Sequence, residues 1–574
     1  MAHVNGVEVL MNPAEIVRKL EHDSLIGFDT ETTGFSPWRN NIALMQFYGN
    51  ETNTLGVVQA IDGIIPEPIL ELFKQGKTFV GHNLVSFDIP FIHTHGVQWR
   101  KSKYYDTLVG ETVVTSNGRR NISVSLRNSV RRKLGLEIDK DIEHGHWGAH
   151  ELSPEQIIYA ASDVISLPAL MYAQQQIADE TGQTEALLME MELMPSVASM
   201  TINGLPINVE ILRAWTAEQK LLADAAEAEI FAALGPLNLN SPKQIVEAFW
   251  RMLEYRIKGS SREVLMDVYL DHKAPPAVSA LAGKILEYKN PAQRLKMYSE
   301  DWIAKHITNG YIHPKYWQCS ADTSRFTCSD PNIQQWPKDA RKIVGHLSGY
   351  KVVMADFSQI EVRIAAELAH DSQLIADLES SDVHRAVASS VYGLPVDDIS
   401  THQRRRAKAL TFALLFDGTA STLYKHAKVS GGDMSFSEAI GMERTFFTTY
   451  QGLAKMRSKA QYMAQNQRVV IVRLPNGLRR VLFGQTKRAS TILNTMIQGT
   501  AAVGLKKSII EADKRGLVER YLGAPIHDEL VSIVPDNEAI EYSKELSDAM
   551  VFGMHEVMNG TVRVEAKVND FWEA

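Results

Sequence analysis

Twice in this chain an apolar run closes on a carboxylate: Leu25-Ile26-Gly27-Phe28-Asp29 and Val352-Val353-Met354-Ala355-Asp356. A short apolar run bounded by polar residues reads as a buried strand, and a charge at its end belongs at the sheet's edge. At 574 residues the chain exceeds what one small core can serve, so two or more domains are expected. Between the two runs, residues 185 to about 300 carry helical apolar spacing, clearest in Ala186 to Met200 and Ile207 to Leu234. Within this stretch Asn240-Ser241-Pro242 is a helix start, with Ser241 as cap and Pro242 in the first helical position. From about residue 310 strands and helices mix again, punctuated by turns at Ser329-Asp330-Pro331-Asn332 and Pro475-Asn476-Gly477. The expected organisation is a compact α/β domain, a helical arm and a larger α+β domain.

Apolar residues at 45% and charged residues at 22% are ordinary for a globular protein, and no apolar run nears the ~20 residues of a membrane helix. Residues Met1 to Ala14 lack the basic start and apolar block of a signal peptide. The two cysteines, Cys319 and Cys328, argue for a reducing compartment and are too few for a zinc site. A cytoplasmic protein with no membrane partner is expected. The net charge of −8 speaks against a nucleic-acid binder when taken alone. The cations are clustered, however, at Arg404 to Lys408, Arg479-Arg480 and Lys506-Lys507. A local basic groove on an acidic body can still hold a phosphate backbone.

Asp29 and Glu31 lie two apart at a strand end, so both side chains can share a face. Gly81-His82-Asn83 leads into Phe87-Asp88, and Tyr159 and Asp163 stand one helical turn apart. Four carboxylates gathered at one place repel one another by roughly 4 kcal/mol per pair at 4 Å in a surface-like dielectric. Such a cluster calls for divalent cations, which in pairs can activate water and stabilise a leaving oxygen in phosphodiester hydrolysis. Each pair alone reads more readily as surface carboxylates than as ligands.

The second strand-end aspartate, Asp356, precedes a helix marked by Ile360, Ile364 and Leu368. Far downstream, Asp528 of Ile526-His527-Asp528-Glu529 sits beside another apolar strand. Two strand-edge aspartates are what two-metal phosphoryl transfer requires, although either could simply end a strand. Between them Arg404, Lys408, Phe412 and Phe416 recur every four residues. On a helix they form a slowly winding stripe, basic at one end and aromatic at the other. A solvated amphipathic face reads the same way, and so does a cradle for a triphosphate with a stacked base.

The ordered sets narrow these alternatives. Asp29-Thr30-Glu31-Thr32-Thr33-Gly34, then Asn83 to Asp88, then Tyr159 to Asp163, resemble the three motifs of DEDDy-type 3′→5′ exonucleases. Asp356 to Glu361, Arg404 to Phe412, and His527-Asp528-Glu529 resemble motifs A, B and C of family A (DNA polymerase I-like) DNA polymerases. Thr323-Ser324-Arg325-Phe326 through Pro331-Asn332-Ile333-Gln334, Asp382-Val383-His384, and Asn494 to Thr500 match that family as well. The resemblance implies an RNase H-like exonuclease domain over residues 1–180, followed by a right-hand polymerase domain over 181–574. Within the latter, 181–310 would be mainly thumb, 311–370 palm, 371–455 mainly fingers, and 456–574 palm again.

Residue by residue, the resemblance implies that Asp29, Glu31, Asp88 and Asp163 bind metal and that Tyr159 orients the attacking water. Asp356 and Asp528 would hold the polymerase metals, with two Mg²⁺ at each site and Mn²⁺ as a substitute. Arg404, Lys408 and His384 would grip the triphosphate of a dNTP, with Phe412 against its sugar and Glu361 crowding the ribose 2′ position. Arg325, Asn494, Gln498 and His527 would meet the primer-template minor groove or primer end, and Glu529 would join the substrate-binding residues. The implied activity is template-directed DNA synthesis with proofreading, by a monomer whose replication partners (helicase, primase, single-strand binding protein) stay open. A single-subunit RNA polymerase relative and a nuclease with an inactive polymerase domain are the competing readings. Glu361, Phe412 and the full exonuclease set oppose the first, and the presence of both Asp356 and Asp528 opposes the second.

The chain departs from the family pattern mainly around motif B. Phe416 stands where Tyr is usual, so Glu361 is expected to lose a hydroxyl partner, and with it some sugar discrimination. Thr411, Ala413 and Asp417 replace Asn, Gly and Gly, Ser324 replaces Gly, and Ser490 stands where Arg is common. The exonuclease motifs begin within thirty residues of Met1, leaving no room for a 5′-nuclease domain, and the arm lacks a long insertion for a processivity partner. This layout suggests a phage or phage-derived source.

Overall fold

The first apolar run lies inside a seven-stranded sheet. The computed structural model describes residues 3–4, 6–115, 122–138, 147, 153–271, 273–379, 382–429 and 434–573. Strands β1 (His3–Val4), β2 (Val7–Leu10), β3 (Leu25–Thr32), β4 (Ile42–Gly49), β5 (Thr54–Gln59), β6 (Thr78–Gly81) and β7 (Lys103–Asp106) are ordered β1-β2-β5-β4-β3-β6-β7. β3 pairs antiparallel with β4 and parallel with β6. Its side chains alternate: Ile26 and Phe28 enter a core with Phe47, Phe73 and Phe79, while Leu25 enters a second core under the helices Pro154–Ile165 and Leu167–Thr181. The period of two therefore puts Asp29 and Glu31 on the face covered by those helices.

The Pro154 helix opens with a capping box between Ser153 and Gln156, and Pro154 takes the position where its missing N–H costs nothing. Residues 154–181 are long and apolar enough to cross a membrane by composition alone. They break at Ser166 into two helices packed on the sheet, so the apolar character here belongs to a core.

A helical arm follows. Helices Val209–Leu234, Pro242–Leu253, Arg262–Leu270 and Pro276–Met297 enclose a small core of their own around Ile230, Phe249, Leu265 and Ile285. Ser241 Oγ accepts from the Gln244 N–H and Pro242 opens the helix, as the sequence predicts. Two short ladders come next, β8 (Leu205–Pro206) with β9 (Tyr311–Ile312) and β10 (Lys315–Trp317) with β11 (Thr327–Ser329).

Further along are β12 (Tyr350–Phe357), a hairpin of β13 (Val469–Arg473) and β14 (Arg479–Phe483), and then β15 (Leu522–Ile526), β16 (Glu529–Pro535) and β17 (Val564–Asn569). β12 and the last three form an antiparallel sheet in the order β15-β16-β12-β17, backed by helices Ala489–Lys514 and Ala539–His555. Helices Val383–Tyr392, Thr401–Leu415, Ala420–Val429 and Phe436–Thr449 build a separate layer.

One expected element is shorter than its sequence stripe. The helix that carries Arg404, Lys408 and Phe412 ends at Leu415, and Phe416 already has φ −108° and ψ 36°. Asp417 then takes φ 63°, a left-handed angle no helix continues through. Arg457 Nε and Gln461 Nε2 donate to its carboxylate at 3.0 and 2.8 Å and hold the chain there.

Candidate active sites

The N-terminal site forms where β3 meets the Pro154 helix. Asp29, Glu31 and Asp163 bring one ligand oxygen each within 4.8 Å of one another. Like charges crowded this closely fit a divalent metal with oxygen ligands. Tyr159 lies one turn before Asp163, with its ring centroid 6.2 Å from that of Trp147.

Asp88 stands apart from this trio. It opens the helix Asp88–Thr94, is 1% exposed, and its Oδ1 accepts from Thr30 Oγ1 at 2.6 Å. Thr30 is the residue between Asp29 and Glu31, so Asp88 leans on the same strand. Burial, with the charge of Asp106 added, pushes the Asp88 carboxyl up to about 7 against the pull of the Thr30 bond.

Two residues that sequence reasoning passed over shape this site. Asp106 accepts from the N–H groups of Asn83 and Leu108 at 2.8 and 2.9 Å, which fixes the turn leading to Asp88. Gln46 is the cross-strand partner of Asp29, is fully buried, and neither amide atom has a hydrogen-bond partner among the described residues. A polar residue inside the apolar run Ile42 to Phe47 was the available signal.

At the second site Asp356, the last residue but one of β12, lies directly opposite Glu529 of β16 and Glu565 of β17. Asp528 lies in the turn between β15 and β16, and its carbonyl accepts from the Phe357 N–H at 3.3 Å. Asp356 is exposed to solvent. Partial desolvation and the charges of Asp528, Glu529 and Glu565 still push it up to about 7, and burial raises Asp528 too. Carboxylates that resist ionising together are suited to sharing a cation. Glu529 is held by Arg341 at 3.4 Å and by the Trp572 indole at 3.3 Å. His527, just before Asp528, is exposed with φ 60°.

The residues expected on the nucleotide side come from two helices, Val383–Tyr392 and Thr401–Leu415. Lys408 is exposed and Arg404 and Phe412 half-exposed, while Ala407, Leu410, Thr411 and Leu414 are buried on the opposite face. Arg404 is ion-paired with Asp382, whose carboxylate also caps the His384 and Arg385 N–H groups. His384 is 2% exposed, 6.2 Å ring to ring from Phe412, and burial with the nearby Lys408 charge pushes it down to about 4. Phe416 packs half-buried on the main core.

Glu361, expected to lose a partner to the Phe416 substitution, instead pairs with Arg325. On the long Ala489 helix, Ser490, Asn494 and Gln498 form a half-exposed stripe at intervals of four. Two departures from the family pattern find a physical reason: Ser324 has φ 61° and Asp417 φ 63°, angles that favour glycine, and each side chain gains polar partners in return.

Residues 5–177 match the family described as 3'-5' exonuclease, and residues 209–574 match DNA polymerase family A. DNA polymerase I of Aquifex aeolicus (strain VF5) is 28% identical over 605 residues, covering 99% of each chain. DNA polymerase I of Pseudomonas aeruginosa is 28% identical over 622 residues, and that of Streptococcus pneumoniae serotype 4 is 30% identical over 400. The chain spans 64% and 44% of the length of these last two relatives. In fold it is similar to the POL domain of Pol1 from M. smegmatis, solved in complex with DNA primer-template and dNTP. The TM-score is 0.83 at 20% identity, covering 98% of this chain and 99% of the other. These relatives come from bacteria or a bacterial genus, so nothing among them supports the phage source expected from the layout. With a carboxylate site on each of its two larger sheets, and family matches falling on both, the chain belongs to DNA polymerase family A and carries a 3′-5′ exonuclease domain ahead of its polymerase domain.

Proposed function

We propose that this chain extends a DNA primer at Asp356 and Asp528 and trims mispaired 3′ ends at Asp29, Glu31, Asp88 and Asp163. The observation that carries the reading is the presence of two separate acidic sites, one at the seven-stranded sheet and one at the four-stranded sheet. At both sites Mg²⁺, two ions each, would neutralise phosphate charge and polarise the attacking hydroxyl or water. The structural neighbour's primer-template and dNTP support the same ligands here.

The chain's own residues do the positioning. Arg404 and Lys408 present cations on one helix face, and Arg404 exchanges Asp382 for phosphate when a triphosphate arrives. His384, kept neutral, can donate a hydrogen bond without adding charge. Phe412 packs on the sugar, and Glu361, anchored by Arg325, crowds a ribose 2′-hydroxyl. Asn494 and Gln498 line the primer side of the long helix, where contacts to sugar and phosphate suit an enzyme that must accept any sequence. In the exonuclease Tyr159 stands beside Asp163 to orient water.

The test is extension of primed templates with matched and mismatched 3′ ends. Asp356→Ala or Asp528→Ala should lower extension by roughly 100-fold or more while 3′ degradation persists. Asp29→Ala or Asp163→Ala should do the reverse, leaving mismatched ends untrimmed. A single substitution that removed both activities from a folded protein would overturn the two-site assignment.

A further inference from the structure

We propose that Lys506 and Glu190 are positioning residues that set Arg325 relative to Asn494 and Gln498, so that grip on the primer end depends on a buried ion pair. The inference rests on the assignment of Arg325, Asn494 and Gln498 to the primer-template.

Lys506 Nζ and Glu190 Oε1 are 2.5 Å apart, and both side chains are fully buried. Desolvating two charges is expensive, and apolar residues of similar volume are often the more stable choice at such a place. What the pair provides is geometry. An ammonium has three protons, and Lys506 spends them on Glu190, on Ser324 Oγ at 3.0 Å and on Cys319 Sγ at 3.6 Å. Its charge also lies 5.7 Å from the centroid of the Phe326 ring. Ser324 and Phe326 are the two neighbours of Arg325, so the lysine grips the turn on both sides of that arginine.

Glu190 completes the hold from the other direction. Its Oε2 accepts from Gln318 Nε2 at 3.0 Å, which ties the start of the same loop to the helix Thr184–Asn203. A second fastening lies nearby: Arg480 pairs with Asp322 at 2.8 Å and donates to Thr495 Oγ1 at 2.9 Å. Thr495 and Lys506 both belong to the helix Ala489–Lys514, the one that presents Asn494 and Gln498. The Arg325 turn is thus pinned at two points to the element bearing the other primer-side residues. Ser324 itself is bent to φ 61° with its N–H on the Ala321 carbonyl at 2.9 Å, which aims Arg325 away from the pair and onto Glu361.

The experiment compares three variants: Lys506→Met with Glu190→Gln together, so that no lone charge stays buried; Ser324→Gly, whose backbone tolerates φ 61°; and Arg325→Ala. Primer-template KM, kcat, the ratio of matched to mismatched extension, and degradation of single-stranded DNA are measured for each, with thermal unfolding as a fold check. The double variant should raise KM and lower the match-to-mismatch ratio by about tenfold, the lower end for lost hydrogen bonds to a charge, and Ser324→Gly by about threefold, the scale of one ordinary hydrogen bond. Single-strand degradation should stay unchanged. Placed on top of Arg325→Ala, neither change should have further effect, because a residue acting through Arg325 has nothing left to position. Additive losses in that background, or unaltered extension by a folded double variant, would sink the inference. Should the double variant fail to fold, Ser324→Gly in both backgrounds separates the same two outcomes. If Arg325→Ala alone left extension intact, the primer assignment of Arg325 would be the failed premise.

Discussion

Ser324 and Asp417 occupy backbone angles that an L-residue enters at a cost of about 1–2 kcal/mol. At Asp417 the compensation is visible: Arg457 and Gln461 both donate to the carboxylate, and Arg457 also reaches Glu443 at 3.0 Å and the Gly418 carbonyl at 3.1 Å. Asp417→Ala keeps the strain and loses the bonds, whereas Asp417→Gly loses the bonds but relieves the strain. Chemical denaturation should therefore rank wild type above Asp417→Gly and that above Asp417→Ala, the last by roughly 1–3 kcal/mol. Equal stability of the two variants would mean that φ 63° carries no strain. Glu361 gives a second test at this scale. Anchored by Arg325 rather than by a tyrosine hydroxyl, it should still exclude ribonucleotides, and Glu361→Ala should cut the deoxy-over-ribo preference by roughly tenfold or more in single-nucleotide incorporation. Strand-end aspartates and the basic-aromatic stripe were legible in the sequence because periodicity and order suffice to find them. Gln46, Glu190 and Lys506 were not, since a lone polar residue in an apolar run acquires meaning only from its partner across the fold.

Among elements, the short ladder β8–β9 carries a joint between the two catalytic parts. His313, just after β9, lies tilted by 31° against the Trp38 ring, which belongs to the loop following β3, with ring centroids 3.8 Å apart, and its Nδ1 hydrogen-bonds the Thr201 carbonyl at 3.0 Å. Burial is the main cause that pushes His313 from 6.5 down to about 4. A histidine depressed in the folded state lends stability above pH 6.5, and that contribution is lost as the pH falls from 6.5 through 4. Stability followed by thermal unfolding should therefore decline over this window, and His313→Gln should flatten the decline. An unchanged slope in the variant would assign the acid sensitivity to other groups. The length of the motif B helix was the element misjudged from sequence. Phe416 keeps the four-residue interval, yet the helix stops before it, because Arg457, distant in sequence, holds Asp417 in the left-handed turn.

Over the whole molecule the two catalytic sheets share one continuous core, from Phe28 and Phe79 through Leu193 and Trp215 to Val353 and Leu530. Arg100 pairs with Asp513 at 3.1 Å and donates to Ser199, and Arg39 donates to the Ile307 carbonyl at 2.8 Å, so polar contacts cross the same boundary. The helical arm is built differently, around a small core of its own. Native-state hydrogen exchange should consequently show the arm's amides in residues 242–290 opening at lower free energy than those of β3 and β12, which should open together. Earlier opening of either sheet would contradict this. Because the core around Ile230, Phe249, Leu265 and Ile285 is self-contained, the outer part of the arm, residues 242–290, is a replaceable part: its sequence can drift without repacking either acidic site, whereas Trp215 at the arm's base belongs to the main core. The molecule is monolithic around its two acidic sites and modular in the outer arm.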